Sequence, residues 1–235
     1  MNNPFLRSDL ELMETQVRVL FRHNDVGRLT TINEPGARDA PRFFLGITKQ
    51  GNVARYHETL DEGMMNELER FVRQAPWSEA PNQVNMAEII RILSQDSPIQ
   101  QVYLGPAYVF PCLSDPHTQA VRITPMNVDL LQPFFPDYIE DIPHGQPVFA
   151  IVQNQAAVSL CCSARISSVA AEASLRTAPD YRGRGYGLEV STAWAAEIQK
   201  QGRMALYSTA WNNLASQAVA RKLRLKPYGM DLSFS

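Results

Sequence analysis

Three glycines at alternate positions, Gly183, Gly185 and Gly187, separate a run of strand character over 172–177 from a run with helical spacing that ends near Lys200. Glycine lacks a Cβ and enters backbone conformations closed to other residues. The segment therefore reads as a tight turn carrying the chain from strand into helix. Such a turn leaves backbone N–H groups and the positive end of the helix facing whatever lies over it, which suits an anion, most simply a pair of phosphates. A plain tight turn is the alternative, and the glycines alone do not choose between the two.

Two other glycine motifs fail on the same residues. A phosphate-binding P-loop closes with Gly-Lys-Ser/Thr, whereas Gly187 precedes Leu188 and Glu189. A dinucleotide fingerprint begun at Gly183 requires glycine at 188, which is Leu188. The surrounding charge does favour a small phosphorylated ligand: Arg176, Arg182 and Arg184 flank the turn, and Arg221, Lys222, Arg224 and Lys226 crowd a later segment. Singly, each reads as a solvated charge. A formal net charge of −2 argues against a general nucleic-acid binder. The charges within 1–16 stand where a secretory leader has an apolar run, and no stretch approaches membrane-spanning length, so a soluble cytoplasmic protein without membrane partners is expected.

The pattern predicts two parts, a smaller mixed α/β domain over 1–100 and a second domain over 101–235. In the first, Leu10, Met13, Val17, Leu20 and Phe21 recur at helical spacing behind Ser8 as N-cap. A hairpin follows around Gln50-Gly51-Asn52, then helices over 61–74 and 84–93. Phe43, Phe44, Leu45, Leu68, Phe71, Ile89, Ile90 and Leu93 are its expected core. In the second part, strands are expected at 102–110 and 120–124, a helix from 126 towards 138, and a hairpin over 146–165 turning at Asn154 and Gln155. The 172–177 strand, a helix over 185–200, a strand at 204–209, a helix over 213–223 and a last strand at 228–234 complete it.

Pro179-Asp180-Tyr181-Arg182-Gly183-Arg184-Gly185-Tyr186-Gly187 fits Arg/Gln-x-x-Gly-x-Gly/Ala, and Asn213-Leu214-Ala215-Ser216 with Val219 to Leu223 follows at a matching distance. Together they resemble the GNAT acetyltransferase superfamily, over 120–235 and best after Glu172. The resemblance implies an α+β fold, a mixed and mainly antiparallel sheet flanked by helices. It implies an enzyme that takes acetyl-CoA as cosubstrate, without metal, and moves the acetyl group to an amine by direct attack in a ternary complex.

Residue by residue, the resemblance implies that the backbone of Leu175, Arg176 and Thr177 pairs with the pantetheine arm. The Leu175 amide would polarise the thioester carbonyl as an oxyanion donor. The amides of Arg182, Gly183, Arg184, Gly185, Tyr186 and Gly187 would hold the pyrophosphate, Asn213 and Ser216 the pantetheine or sulfur end, and Arg221 or Lys222 the ribose phosphate. Glu172 is the candidate base, one residue off register unless a bulge restores it. The family's thiolate-protonating tyrosine falls at Ala220, and Arg224-Leu225 replaces its Gly-Phe. Ser216, Tyr207 or solvent could serve as acid, and a tyrosine introduced at 220 is expected to be tolerated.

Losing acid and base would instead leave a non-catalytic acyl-CoA-binding module. The acceptor stays open between a small-molecule and a peptide amine, and the 1–100 part either walls its site or is a separate module for dimerisation, as a homodimer contact, or for partner binding. Cys161 and Cys162 read as core residues, Trp194 and Trp211 as packing residues, and His117 and His144 as exposed loop residues. The odd cysteine count, with no ligand spacing, argues against disulfides and structural zinc.

Overall fold

The computed structural model describes residues 7–75, 84–114 and 116–235; residues 1–6, which head the segment weighed above as a leader, lie outside them. In chain order the elements are α1 (Asp9–Leu20), β1 (Phe21–His23), β2 (Leu29–Ile32), β3 (Phe43–Thr48), β4 (Gly51–Tyr56), α2 (Glu62–Gln74), α3 (Met86–Leu93), β5 (Val102–Val109), β6 (Val121–Ile123), β7 (Val148–Gln153), β8 (Ala156–Ile166), β9 (Ala170–Thr177), α4 (Tyr186–Lys200), β10 (Met204–Ser208), α5 (Leu214–Lys222) and β11 (Lys226–Phe234). They form two compact units. One comprises Val109–Tyr207 and Leu214–Lys226; the other runs to Tyr108 and takes in Ser208–Asn213 and Pro227–Ser235.

The unit containing the N-terminal elements is built on strand order β4-β3-β11-β5. Helix α1 starts at a reciprocal cap, in which Glu11 N–H donates to Ser8 Oγ and Ser8 N–H donates to the Glu11 carboxylate. Asp61 Oδ1 caps α2 by accepting from Gly63 N–H at 2.7 Å. β3 and β4 form the expected hairpin, with Thr48 paired to Gly51, and β11 runs antiparallel to β3 from Phe43↔Phe234 to Ile47↔Met230. The core joins Phe43, Leu45, Leu68, Ile89 and Leu93 to Met230, Leu232 and Phe234, with Phe71 and Ile90 packed partly buried against it. Phe44 points the other way, as strand alternation requires, and its ring meets that of Phe21 at 5.6 Å. The β1–β2 ribbon was not legible in the sequence, because strands this short carry too few residues to show alternation.

The other unit has strand order β10-β9-β8-β7-β6, antiparallel throughout except for the parallel β9–β10 pair. β7 and β8 meet through a two-residue turn at Asn154 (φ 49) and Gln155 (φ 61), the positive-φ pair that matches strand twist. Helix α4 covers one face: Trp194 Nε1–H donates to Ser163 Oγ at 3.0 Å, and Ser163 stands opposite Ala173 on β9. Segment 124–145 covers the other, setting Leu131, Phe135 and Ile142 against Leu160 and Cys162. The helix expected from 126 towards 138 is not present. Two short 3-10 turns, Val128–Leu131 and Pro136–Tyr138, stand there instead. Pro133 and Pro136 carry no amide hydrogen, and inside a helix their rings clash with the preceding turn, which breaks the helical ladder.

Candidate functional site

β9 is held on both sides only along its first half. It pairs with β10 at Met204↔Ala170, Ala205↔Ala171 and Leu206↔Glu172, and that pairing then ends. Its pairing with β8 continues to Ser159↔Thr177. The strands part beyond Glu172, leaving, among the described residues, the β10-side backbone of Leu175 and Thr177 without a strand partner.

The parity of the β8 ladder decides which backbone groups face that gap. Ala178 N–H donates to Val158 O at 2.9 Å, which makes 178 and 158 a hydrogen-bonded antiparallel pair. Such pairs alternate with non-bonded ones, so Arg176 and Ser174 exchange their hydrogen bonds with Leu160 and Cys162. The N–H groups of Leu175 and Thr177 consequently point to the β10 side. Thr177 O on that side accepts from Arg182 Nε at 3.3 Å. The Leu175 and Thr177 side chains lie on the α4 face, where a Cβ added to Gly187 would come within 3.5 Å of Leu175 Cδ2 and 3.7 Å of Thr177 Oγ1.

Beyond Thr177, a 3-10 turn at Pro179–Tyr181 leads to Gly183 (φ 77) and Gly185 (φ 86), the latter capping α4 in left-handed conformation without a side-chain cap. The glycines are required here by backbone angle and not by crowding, since a Cβ on either would meet nothing within 4 Å. That open space lies beside the Tyr186 and Gly187 amides at the start of α4, which precede the first helical hydrogen bond, donated by Leu188 N–H to Gly185 O at 2.9 Å. Two flanking arginines brace the turn. Arg184 donates to Asp180 O at 3.0 Å and lies over the Tyr181 ring at 5.1 Å, while Arg182 ties the turn to the end of β9 as above.

Glu172 is 4% exposed, and its carboxylate accepts from Arg165 at 2.9 Å. The bulge that would turn Glu172 to the face of Leu175 occurs in β8, where Ser163 and Arg165 oppose the consecutive residues Ala173 and Glu172. β9 itself stays regular. Glu172 therefore shares the face of Ser174 and Arg176, away from α4. On that face the Arg176 guanidinium lies over the Tyr138 ring at 5.5 Å, and Tyr138 OH reaches Ser174 Oγ at 3.5 Å. Sequence reasoning missed Arg165 and Tyr138: the first sits just past a bulge that shifts the alternation, the second in a segment whose helical reading was wrong.

Ser216, half-buried in the first turn of α5, lies 2.6 Å from Tyr207 OH. Asn213 is exposed, its N–H donating to Ala210 O at 2.9 Å, in a segment that groups with the other unit. Arg221 and Lys222 are exposed on the last turn of α5. Ala220 is 1% exposed, so a tyrosine there would have to fit within the packing of the protein. Cys161 and Cys162 are buried; loss of hydration raises the Cys161 thiol well above its ordinary value and pushes Cys162 up to about 12, which leaves both as inert thiols. Trp194 is enclosed, and His117 and His144 are exposed, as expected. Among the described residues no cluster of three or more His, Cys, Asp or Glu could hold a metal ion, and no helix is long and apolar enough to cross a membrane.

The sequence profile of the family described as GNAT acetyltransferase matches residues 117–227, spanning the parted strands, the glycine turn, α4 and α5. This segment belongs to the GNAT superfamily. Acyl transfer is the reaction class of that superfamily. Solved structures similar to the chain include a protein assigned to the GNAT family from Novosphingobium aromaticivorans, 16% identical with a TM-score of 0.47, over 58% of this chain and 65% of that one. A GCN5-related N-acetyltransferase from Kribbella flavida is 12% identical with a TM-score of 0.47, over 97% and 95%. A GCN5-related N-acetyltransferase-like protein from Streptococcus suis is 14% identical with a TM-score of 0.46, over 83% and 85%. The chain thus spans just under two thirds of the length of the Novosphingobium protein. It is the profile match, not these distant alignments, that places the GNAT segment. Among curated proteins, none matches.

Proposed function

We propose that this chain is an N-acetyltransferase that moves an acetyl group from acetyl-CoA to an amine by direct attack within a ternary complex. The observation that carries the reading is the parting of β9 from β10 beyond Glu172, with the Leu175 N–H facing the gap and the glycine turn at its end. The donor set fits acetyl-CoA. Open space lies over Gly183 and Gly185, beside the Tyr186 and Gly187 amides at the start of α4, which suit a pyrophosphate. The backbone of Leu175 and Thr177 offers hydrogen bonds to a pantetheine amide, and Arg221 and Lys222 stand on the helix that follows.

Acetyl-CoA bound there would supply the activated acetyl group, which an amine can take without a covalent enzyme intermediate or a metal. The Leu175 N–H is fixed by the β8 ladder before any charge develops, so it stabilises oxygen charge without reorganising. Ser216 is assigned to the sulfur end.

A second reading, an acyl-CoA-binding module without transferase activity, is favoured by the commitment of Glu172 to Arg165 and by the enclosed Ala220. One experiment separates the two. Calorimetry in chelator-treated buffer measures acetyl-CoA binding, and thiol release is followed across a panel of amines. Binding with amine-dependent release is expected. Binding without release from any amine supports the module, and absence of binding removes both readings.

A further inference from the structure

We propose that Arg176 selects the acceptor: its guanidinium, seated on the Tyr138 ring at the rim of the gap, pairs with an anionic group on the amine that takes the acetyl group. The substrate class is then amines that carry a carboxylate or a phosphate. The inference rests on the acetyl-transfer reading and deepens it by naming that class.

Packing decides from which face of the sheet an amine reaches the gap. Leu206 pairs with Glu172 in the parallel β9–β10 ladder, so Tyr207 stands level with Ala173 on the face covered by α4. Tyr207 is 3% exposed, and the Phe110 ring links it to α4, lying 6.3 Å from the Tyr207 ring and 5.8 Å from that of Trp194. These rings close the α4 side where the strands begin to part. On the opposite face β9 presents Glu172, Ser174 and Arg176 in turn. The first is buried, the second half-buried and the third exposed. The open side of the gap is therefore the side of Arg176.

The charges on that face leave a cation at its open end. The Glu172 carboxylate accepts from Arg165 at 2.9 Å, which offsets its charge. Cys162 is a buried, neutral thiol, and Tyr138 OH lies 3.5 Å from Ser174 Oγ. Arg176 Cζ stands 5.5 Å from the centre of the Tyr138 ring, and among the described residues no carboxylate lies within ion-pair distance of it. A guanidinium offers two parallel N–H donors that match a carboxylate or a phosphate. Resting on a ring, it has less freedom to lose when such a group binds.

The position suits the reaction. Arg176 follows Leu175, the residue whose N–H faces the gap, at one strand rise of about 3.3 Å. An anion held by Arg176 brings an amine a few bonds away to the acetyl carbon. Asp137, Glu140 and Asp141, exposed on the segment that covers this face, would instead draw a cationic acceptor. They stand on the covering segment and not on β9, whereas Arg176 adjoins the oxyanion donor itself.

The test follows thiol release from acetyl-CoA by the full chain with matched amines: glycine, β-alanine and 4-aminobutyrate against their amides, phosphoethanolamine against ethanolamine, and spermidine as a cation. For the best pair, wild-type kcat/KM should favour the anionic amine by roughly tenfold to a hundredfold; whether the carboxylate or the phosphate series leads identifies the anion. Arg176→Gln should bring that ratio to within about threefold of one, and Arg176→Glu should turn the preference towards spermidine. Differences in amine basicity cancel, since the same pair is compared in each protein. A wild-type ratio near one, spermidine as the best wild-type acceptor, or an anionic preference that survives Arg176→Gln would each overturn the proposal. So would an equal fall for both members of the pair with a lowered melting temperature, which would give Arg176 a structural role through Tyr138. Should Arg176→Gln not fold, Arg176→Glu carries the comparison, and an anionic preference surviving it overturns the proposal. Failure of the acetyl-transfer reading looks different: wild-type protein would then release no thiol with any amine, and this inference would fall with it.

Discussion

Arg165 and Glu172 form a cross-strand ion pair at 2.9 Å between β8 and β9, with the Glu172 side chain 5% exposed and that of Arg165 23%. The pair sits on the face opposite α4, held by the bulge in β8. We assign it a structural role. Removing one partner of a largely enclosed pair takes away the opposite charge that offsets the other's desolvation. Glu172→Gln should therefore cost about 1–3 kcal/mol of stability in urea titration, while kcat per folded molecule changes by less than about threefold, far short of the loss expected for a general base. A hundredfold fall in kcat with unchanged stability would restore Glu172 as the base.

Adjacent residues on β9 should respond oppositely to proline. The Leu175 N–H faces the gap, so Leu175→Pro removes a donor that no strand uses; it should leave the protein folded and lower kcat by about 100-fold or more. The Arg176 N–H lies in the β8 ladder, so Arg176→Pro orphans Leu160 O and should cost about 1–3 kcal/mol of stability. Circular-dichroism melts and initial rates check both. Equal stability losses at the two positions would show that the parity of the ladder has been assigned wrongly.

Much of the fold was legible in the sequence, and the exceptions have physical causes. Helices α1 and α2 announce themselves through Ser8 and Asp61, and the β7–β8 turn through Asn154 and Gln155, because caps and turns are local chemistry. The 126–138 segment misleads because its apolar residues are spaced for burial on one face, while Pro133 and Pro136 deny the helix its hydrogen bonds. The glycine turn could be located from sequence because positive φ at 183 and 185 admits few other residues. The parting of β9 from β10, the Arg165–Glu172 pair and the Tyr207–Ser216 contact depend on register and a bulge, and no single segment encodes them.

Gly185 separates the effect of backbone angle from that of charge. At φ 86 with open space around a new Cβ, asparagine fits with about 1 kcal/mol of strain, and Gly185→Asn should weaken CoA binding less than tenfold. Aspartate has nearly the same shape. Its charge at about 5 Å from a phosphate, at an effective dielectric of about 20, is opposed by about 3 kcal/mol, so Gly185→Asp should weaken binding by about 100-fold or more. Calorimetry on both variants provides the comparison; similar affinities would mean that phosphates do not sit at this turn.

Ala220 tests the packing beneath α5. With 1% of its surface exposed, the position lies within the packing, and Ala220→Tyr is expected to destabilise the protein by about 1–3 kcal/mol through overpacking. A stable Ala220→Tyr variant with raised kcat would instead place this side chain at the thiolate.

Removing residues 1–100 should damage more than the elements removed. β11 lies at the C-terminal end of the chain but pairs with β3 over five residue pairs, from Phe43↔Phe234 to Ile47↔Met230. Met230, Leu232 and Phe234 belong to the core that includes Leu68 and Ile89, and the Phe43 and Phe234 rings stack at 5.9 Å. A fragment of residues 101–235 would keep β11 while losing α1 to α3 and β1 to β4, so these side chains would face water beside an unpaired strand edge, a ready template for aggregation. Burying one such side chain is worth about 1.5–3 kcal/mol, and losing that for all three consumes a large part of a typical stability of about 5–15 kcal/mol. The fragment is expected to aggregate, or to melt far below the full chain, in size-exclusion and calorimetric measurements. A monomeric 101–235 fragment melting within about 4 °C of the full chain, the shift expected of roughly 1 kcal/mol, would show that β11 does not depend on β3.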